Sequence, residues 1–354
     1  MRFSSAIIGY AFFSFIAVHS THGQTFSDDL LLENVGARGA ITGSSHAANT
    51  ADVHAALWNA AGLSQINTQN QGSFTYANAL NSRYDQLMVN AAFRVDSNVA
   101  LGIGWSNLFT GNAADTRLLF PGRDLVFDNV GTFSSNDQVF YLSMGSKISK
   151  IPGLHVGATW RMHFGQVEKF SNKMGFGLDL GAQYVKNSWR FGTVLKGVFG
   201  DYRHWSYNTS QLAETFAQTG VGIYENRLET FRPRLVLAVS KQIQLGKNVN
   251  FIPTVDFQLS ADNRNNGLVN NGALSLVPNL GAMFELFQKI QIGGGVSQLN
   301  QQEIPFSNTK EWQLTPHAGV GLALKKMNIH YAWRRNILGE NTFSNHCFTF
   351  IFSF

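Results

Sequence analysis

Few residues in this chain have the spacing that chemistry needs. Its ten histidines are scattered. His155 and His163 fall on one face of an alternating stretch, but they lie too far apart to ligate one ion. There is no H-E-x-x-H pair, no G-x-S-x-G elbow and no phosphate-binding loop. The run Gly293-Gly294-Gly295 follows Ile292 and lacks the lysine that a phosphate cradle requires, so it reads as strand glycine. The one cysteine, Cys347, has no partner for an intramolecular disulfide and reads as an inert small residue. No catalytic, cofactor-binding or metal-ligating residues are expected, and the chain does not read as an enzyme.

The charges are thin and mixed. A formal net charge of +5 over 354 residues forms no basic stripe, so nucleic acid is not an expected partner. Charged residues make up 14%, where about 25% is usual for soluble domains. Aromatics reach 13%, with 29 Phe and 34 Gly. Low charge with near-zero mean hydropathy suits strands that show one face to lipid and the other to water.

The elements that carry this composition start with a leader. Arg2 gives a positive n-region and Ala6 to Val18 an apolar run, shorter than the roughly 20 residues of a spanning helix. Ser20, Thr21 and Gly23 then lead into Gln24. Residues 1–23 read as a signal peptide cleaved after Gly23, which marks the chain for export. No cysteine follows it, which argues against a lipid-anchored N-terminus.

From about Gly72 the chain alternates with period two. Phe348, Phe350, Phe352 and Phe354 oppose Cys347, Thr349, Ile351 and Ser353. Phe176, Leu178, Leu180, Ala182 and Tyr184 oppose Gly175, Gly177, Asp179, Gly181 and Gln183. Fourteen such segments fall near 72–76, 85–94, 98–106, 137–147, 154–164, 174–185, 188–198, 232–243, 249–259, 274–285, 289–297, 313–324, 327–334 and 346–354. Short turns, such as Asp96-Ser97 and Lys186-Asn187, alternate with mostly longer loops, including 107–136 and 199–231. The expected fold is all-β: a transmembrane antiparallel β-barrel of about 14 strands over 72–354. Arg161, Asp179, Arg190, Lys196, Arg234 and Asp256 fall on inward faces, and their mixed signs suggest pairing there. A charge at Leu180, on the lipid face, is expected to cost roughly 2–4 kcal/mol, and one at Gln183 much less.

Residues 24–71 do not alternate. They include a small-residue stretch from Ile41 to Ala51 and a short helix capped by Asp52, running through Asn59 and ended by Gly62. A segment of this kind before so wide a barrel is expected to fill the lumen as a plug. Two outward loops carry apolar residues: Leu118, Phe120 and Phe127 in one; Trp205 and Phe216 in the other, the latter within an expected helix from Gln211 to Thr219. These are the expected partner-binding residues.

The run Gly36-Ala37-Arg38-x-Ala40, followed by Asp52, Ala55, Ala56, Trp58, Asn59, Ala61, Gly62 and Leu63, resembles the N-terminal signature of the PorV/PorQ family of outer-membrane barrels. That family belongs to the wider group of FadL-type fatty-acid channels. Where family members read Asn-Pro-Ala, this chain has Asn59-Ala60-Ala61. The resemblance implies an accessory of the type IX secretion system of Bacteroidota that binds cargo or translocon proteins. The alternative it implies is a FadL-like channel for hydrophobic small molecules. With outer loops apolar and inward positions polar, the expectation is the secretion accessory, embedded among outer-membrane lipids.

Overall fold

The computed structural model describes residues 25–26, 35–79, 81, 83–117, 119, 125–210, 212–213, 226–261, 269–270, 274–303, 310–338 and 341–354. Among them no helix is long and apolar enough to cross a membrane. The leader and residues 27–34 lie outside the described residues, as do Leu118, Phe120 and Phe216.

One sheet closes on itself as a 14-strand antiparallel barrel. Its strands are β1 (Asn70–Ala79), β2 (Tyr84–Arg94), β3 (Val99–Asp115), β4 (Gly131–Lys147), β5 (Leu154–Val167) and β6 (Ser171–Lys186). β7 runs in two pieces, Trp189–Lys196 and Asp201–Tyr207. β8 runs in three: Arg227–Phe231, Arg234–Lys241 and Ile243–Gly246. Then follow β9 (Val249–Ser260), β10 (Ser275–Leu286), β11 (Ile290–Glu303), β12 (Lys310–Ala323), β13 (Met327–Leu338) and β14 (Asn341–Ser353). Closure is direct: Phe348 of β14 lies opposite Tyr76 of β1, and Phe352 opposite Gly72. Closure gives the first and last strands partners for their edge groups, which lipid could not supply.

The alternation decides which way each strand faces. Ile103, Leu142, Trp160, Leu180, Phe191, Phe257, Val320 and Phe348 are exposed around the outer wall. Their neighbours Gly102, Ser143, Thr159, Asp179, Asp256 and Thr349 turn inward. Along β5 the outward apolar series from Leu154 to Phe164 covers ten residue steps, about 25 Å for a tilted strand and the height of an outer-membrane apolar band.

Several strands run past the expected segments. β3 reaches Asp115 where alternation stops near 106, and β4 starts at Gly131 where 137 was expected. Beyond the apolar band both faces of a strand meet water, so pairing continues after the hydrophobic pattern has ended. The loops expected over 107–136 and 199–231 shrink to 116–130 and 208–226. Trp205 is therefore a strand residue, not a loop residue.

One wall defect has no counterpart in the sequence pattern. Lys196 pairs with Arg234 and Asp201 with Phe231. Gly197 to Gly200 lack those ladder partners, and Arg232-Pro233 interrupts β8 at the same level. Pro233 has no N–H to give. Gly197 and Gly200 take φ of 62° and 90°, the left-handed region where glycine alone is unstrained. The break lies beside Phe176 to Leu180 of β6, within the apolar band, and Phe199 is exposed at it.

Candidate functional site

Residues 35–66 are buried almost throughout and press against inward faces from β1 to β14. They form α1 (Ala37–Ile41), α2 (Ala55–Trp58) and a 3-10 helix (Ala60–Gln65), joined by turns. α1 packs on β10 to β14, and the 3-10 helix on β3 to β6. Ile41, Ala40 and Ala37 meet Met283, Ile252, Ala332 and Cys347 of the wall in one apolar cluster. Val53, Leu63 and Ile66 meet Ala92, Ala100 and Ile351 in another.

The motif residues of this segment hold one another. Gly36 has φ 75°, and a Cβ there would stand 3.0 Å from the His54 ring. Ala37 N–H donates to Thr349 Oγ1 at 2.9 Å. Arg38 Nη1 lies 3.1 Å from Asp52 Oδ2, and Trp58 Nε1 donates to Val35 O at 2.6 Å. Asp52 does not cap a helix as expected. Its Oδ1 accepts from His54 N–H, its other oxygen takes Arg38, and α2 begins without a side-chain cap. Burial would raise the Asp52 pKa, but the His54 ring, with Nδ1 3.5 Å from Oδ1, and the Arg38 guanidinium outweigh it and hold the carboxyl well below its usual range. Gly62 does not end a helix either. It sits inside the 3-10 turn, where a Cβ would come 2.3 Å from Thr50 O. Asn59 ends α2 with extended backbone, and its Oδ1 accepts from Ala61 N–H. That side-chain bond fixes the turn which a proline at 60 would otherwise fix.

Wall residues that the sequence reading did not single out as a site hold the segment in place. Asp256 of β9 takes three donors from one turn: Ser45 Oγ at 2.8 Å, His46 N–H at 3.1 Å and Ala47 N–H at 3.2 Å. Gln183 Nε2 donates to Ala47 O at 2.8 Å and Thr50 O at 3.1 Å. Asn59 Nδ2 reaches Ala182 O at 3.0 Å, and Ser64 Oγ meets His155 Nδ1 at 2.7 Å. Gln183 is thus 1% exposed and bonded, and Gln183→Arg is not the inexpensive inward change expected from its strand face. The segment also touches wall glycines at backbone distance. A Cβ on Gly281 would stand 2.0 Å from Thr42 O, and one on Gly157 2.4 Å from Ala60 C. The signal was present as glycines at inward strand positions; the partner they admit is not local and could not be read.

On the loop side of this segment the lumen is charged. Arg161 bonds Asp179 at 2.8 Å and Asp201 at 2.9 Å, with all three nearly buried. Asp179 also accepts from Gly197 N–H at 2.8 Å, so the network reaches the wall break. Lys173 pairs with Asp137 at 2.7 Å, and Arg203 lies over the Phe231 ring. At the opposite, short-turn end, Arg190 Nη1 donates to Gln65 Oε1. The mixed inward charges pair as expected for Arg161 and Asp179. Trp205 belongs to this lumenal layer, with Nε1 donating to Glu229 Oε2 and Lys173 over its ring. Phe127 lies in a short turn of the 116–130 loop and is 70% exposed. The structure therefore does not bring Trp205 and Phe127 together.

A closed β-wall that is apolar outside and filled inside defines a transmembrane barrel enclosing its own N-terminal segment. No protein-family model matches the sequence, and no curated protein does. Solved structures match the fold. The toluene transporter TbuX of Ralstonia pickettii superposes at TM-score 0.56 with 14% identity, covering 90% of this chain and 98% of that one. The toluene transporter TodX of Pseudomonas putida gives 0.58 and 12%, covering 94% and 99%. A FadL homologue of Pseudomonas aeruginosa gives 0.57 and 11%, covering 90% and 98%. At such identities the likeness carries the fold, which is the FadL-type half of the expected resemblance. The secretion-linked half rests on the N-terminal motif alone.

Proposed function

We propose that the protein is an outer-membrane channel for small hydrophobic molecules, closed along its axis by residues 35–66 acting as a plug. The observation that carries this is the end-to-end match of its fold to barrels described as toluene transporters and FadL homologues. The wall break at Gly197 to Gly200 also supports a channel, since it lies on the loop side of the plug contacts at Gly181 and Thr193. An apolar molecule entering from the loops could leave there into lipid without displacing the plug. The reading includes export by the leader over residues 1–23.

A second reading, the secretion accessory, is favoured by Leu125 and Phe127, apolar and exposed in an outer loop, and by the charged upper lumen. One deletion strain separates the two. The channel reading expects slower uptake of toluene or of a long-chain fatty acid, with the exported proteins unchanged. Normal uptake with exported proteins held in the periplasm would overturn it in favour of the second.

A further inference from the structure

The outer wall carries a feature that neither reading uses. On the lipid-facing side of β4 to β7, near their loop ends, lies a depression of about 400 Å³. The register sets its lining in two rows. Gln138, Phe164, Met174 and His204 are cross-strand neighbours. Asn136, Gln166, Asn172 and Ser206 form the next row toward the loops.

The two rows differ in kind. The first still carries large apolar side chains, with Phe164 36% and Met174 65% exposed, and continues down the wall to Trp160 and Phe176. The second is three amides and a hydroxyl. The depression thus straddles the edge of the apolar band, where acyl chains give way to headgroups.

Amides offer a donor and an acceptor on one side chain, which suits ligands rich in hydroxyls. Some of these groups are already engaged: Trp105 Nε1 donates to Gln138 Oε1, and Gln166 Nε2 donates to Glu168 O, both at 2.9 Å. Asn136 Oδ1 is not engaged. It has no hydrogen-bond partner among the described residues and is covered as it stands, so a ligand donor engages it through a turn of the side chain that lines the depression. The lysine of the lining, Lys173, directs its ammonium inward to Asp137 at 2.7 Å, with its side chain 6% exposed. It is committed to a carboxylate and does not face a phosphate in the depression.

We propose that this depression binds the uncharged, hydroxyl-rich headgroup of a glycosyl lipid in the outer leaflet, with the acyl chains running down past Phe164 and Met174. A headgroup hydroxyl would donate to Asn136 Oδ1, while the amides of Asn172 and Gln166 bracket the sugar.

The test uses the full mature chain, purified in a detergent without a sugar headgroup and examined by native mass spectrometry. The probes are diglucosyl diacylglycerol, phosphatidylglycerol and free maltose. The expected result is a stoichiometric glycolipid adduct, with phosphatidylglycerol and maltose leaving none. Asn136→Leu with Asn172→Leu should reduce glycolipid retention about tenfold through loss of two polar partners. Phe284→Leu, on the far wall, should leave it unchanged. Heat-modifiable migration in SDS gels checks that each variant is folded. Equal retention by the folded double variant overturns the proposal. So does phosphatidylglycerol binding as tightly, maltose binding alone, loss of retention in Phe284→Leu, or no adduct.

Discussion

At the scale of single residues, His46 shows how the N-terminal segment trades chemistry for packing. Its ring stands edge-on to Trp58 with centroids 5.7 Å apart, and neither buried ring nitrogen has a hydrogen-bond partner among the described residues. Burial first, and the nearby Arg38 charge second, lower its pKa from 6.5 to about 3, so the folded state holds it neutral. In the unfolded chain the ring protonates near the ordinary value of about 6.5. The sign follows: its contribution to stability is full above that pH and is lost as pH falls toward 3. His46→Phe keeps the edge contact and removes two unsatisfied polar atoms, a change expected to be neutral or stabilising. Thermal unfolding of the refolded barrel should show an equal or higher midpoint for the variant near neutral pH. The gap over the parent should widen as pH drops to about 5. A lower midpoint at both values would mean that the ring nitrogens do bond in the folded protein.

At the scale of the strand, Leu180 and Gln183 of β6 belong to opposite worlds. Leu180 is 44% exposed on the apolar band, and Leu180→Arg there should cost roughly 2–4 kcal/mol, read as a shift in the denaturant midpoint of refolding into lipid. A negligible shift would place Leu180 outside the hydrocarbon. This half of the architecture was legible because side-chain period and burial agree: the faces read from Phe176 to Tyr184 and from Cys347 to Phe354 are those the barrel uses. Strand ends were not legible above the band, where β3 and β4 lose their pattern but keep their ladder. Nor was the β7 break. Gly197 and Gly200 look like the many other glycines of the wall until the register of β8 shows that their partners are missing. The site was legible in part. Of the residues that stood out by motif, Arg38 bonds Asp52 and Asn59 bonds Ala61, while Trp58 bonds Val35 and Gly36 faces the His54 ring. Asp256, more than two hundred residues from Ser45, could not be paired with it by any local pattern.

At the scale of the whole molecule, the question is whether solute passes along the axis or through the wall. The enclosed segment is tied to β1, β5, β6, β9 and β14 by the bonds of Gln71, Thr159, Gln183, Asp256 and Thr349. An axial route would need many of these to break together, each exposing a buried polar group at a cost of about 1–3 kcal/mol. The wall break needs none of them, since it lies on the loop side of these contacts and is pinned through Asp179 and Gly197. Ser45 and Asp256, whose side chains touch at 2.8 Å, offer a place to lock the segment. Ser45→Cys with Asp256→Cys, in a Cys347→Ser background, should form a disulfide that holds it to β9. If the wall is the route, toluene uptake by cells carrying the oxidised variant should match that of the same cells after reduction. Uptake abolished by oxidation and restored by reductant would place the path along the axis and give the segment a gating movement. Mobility shift of the oxidised form after cleavage in the 116–130 loop reports whether the bond has formed, so unchanged uptake counts only where the lock is closed.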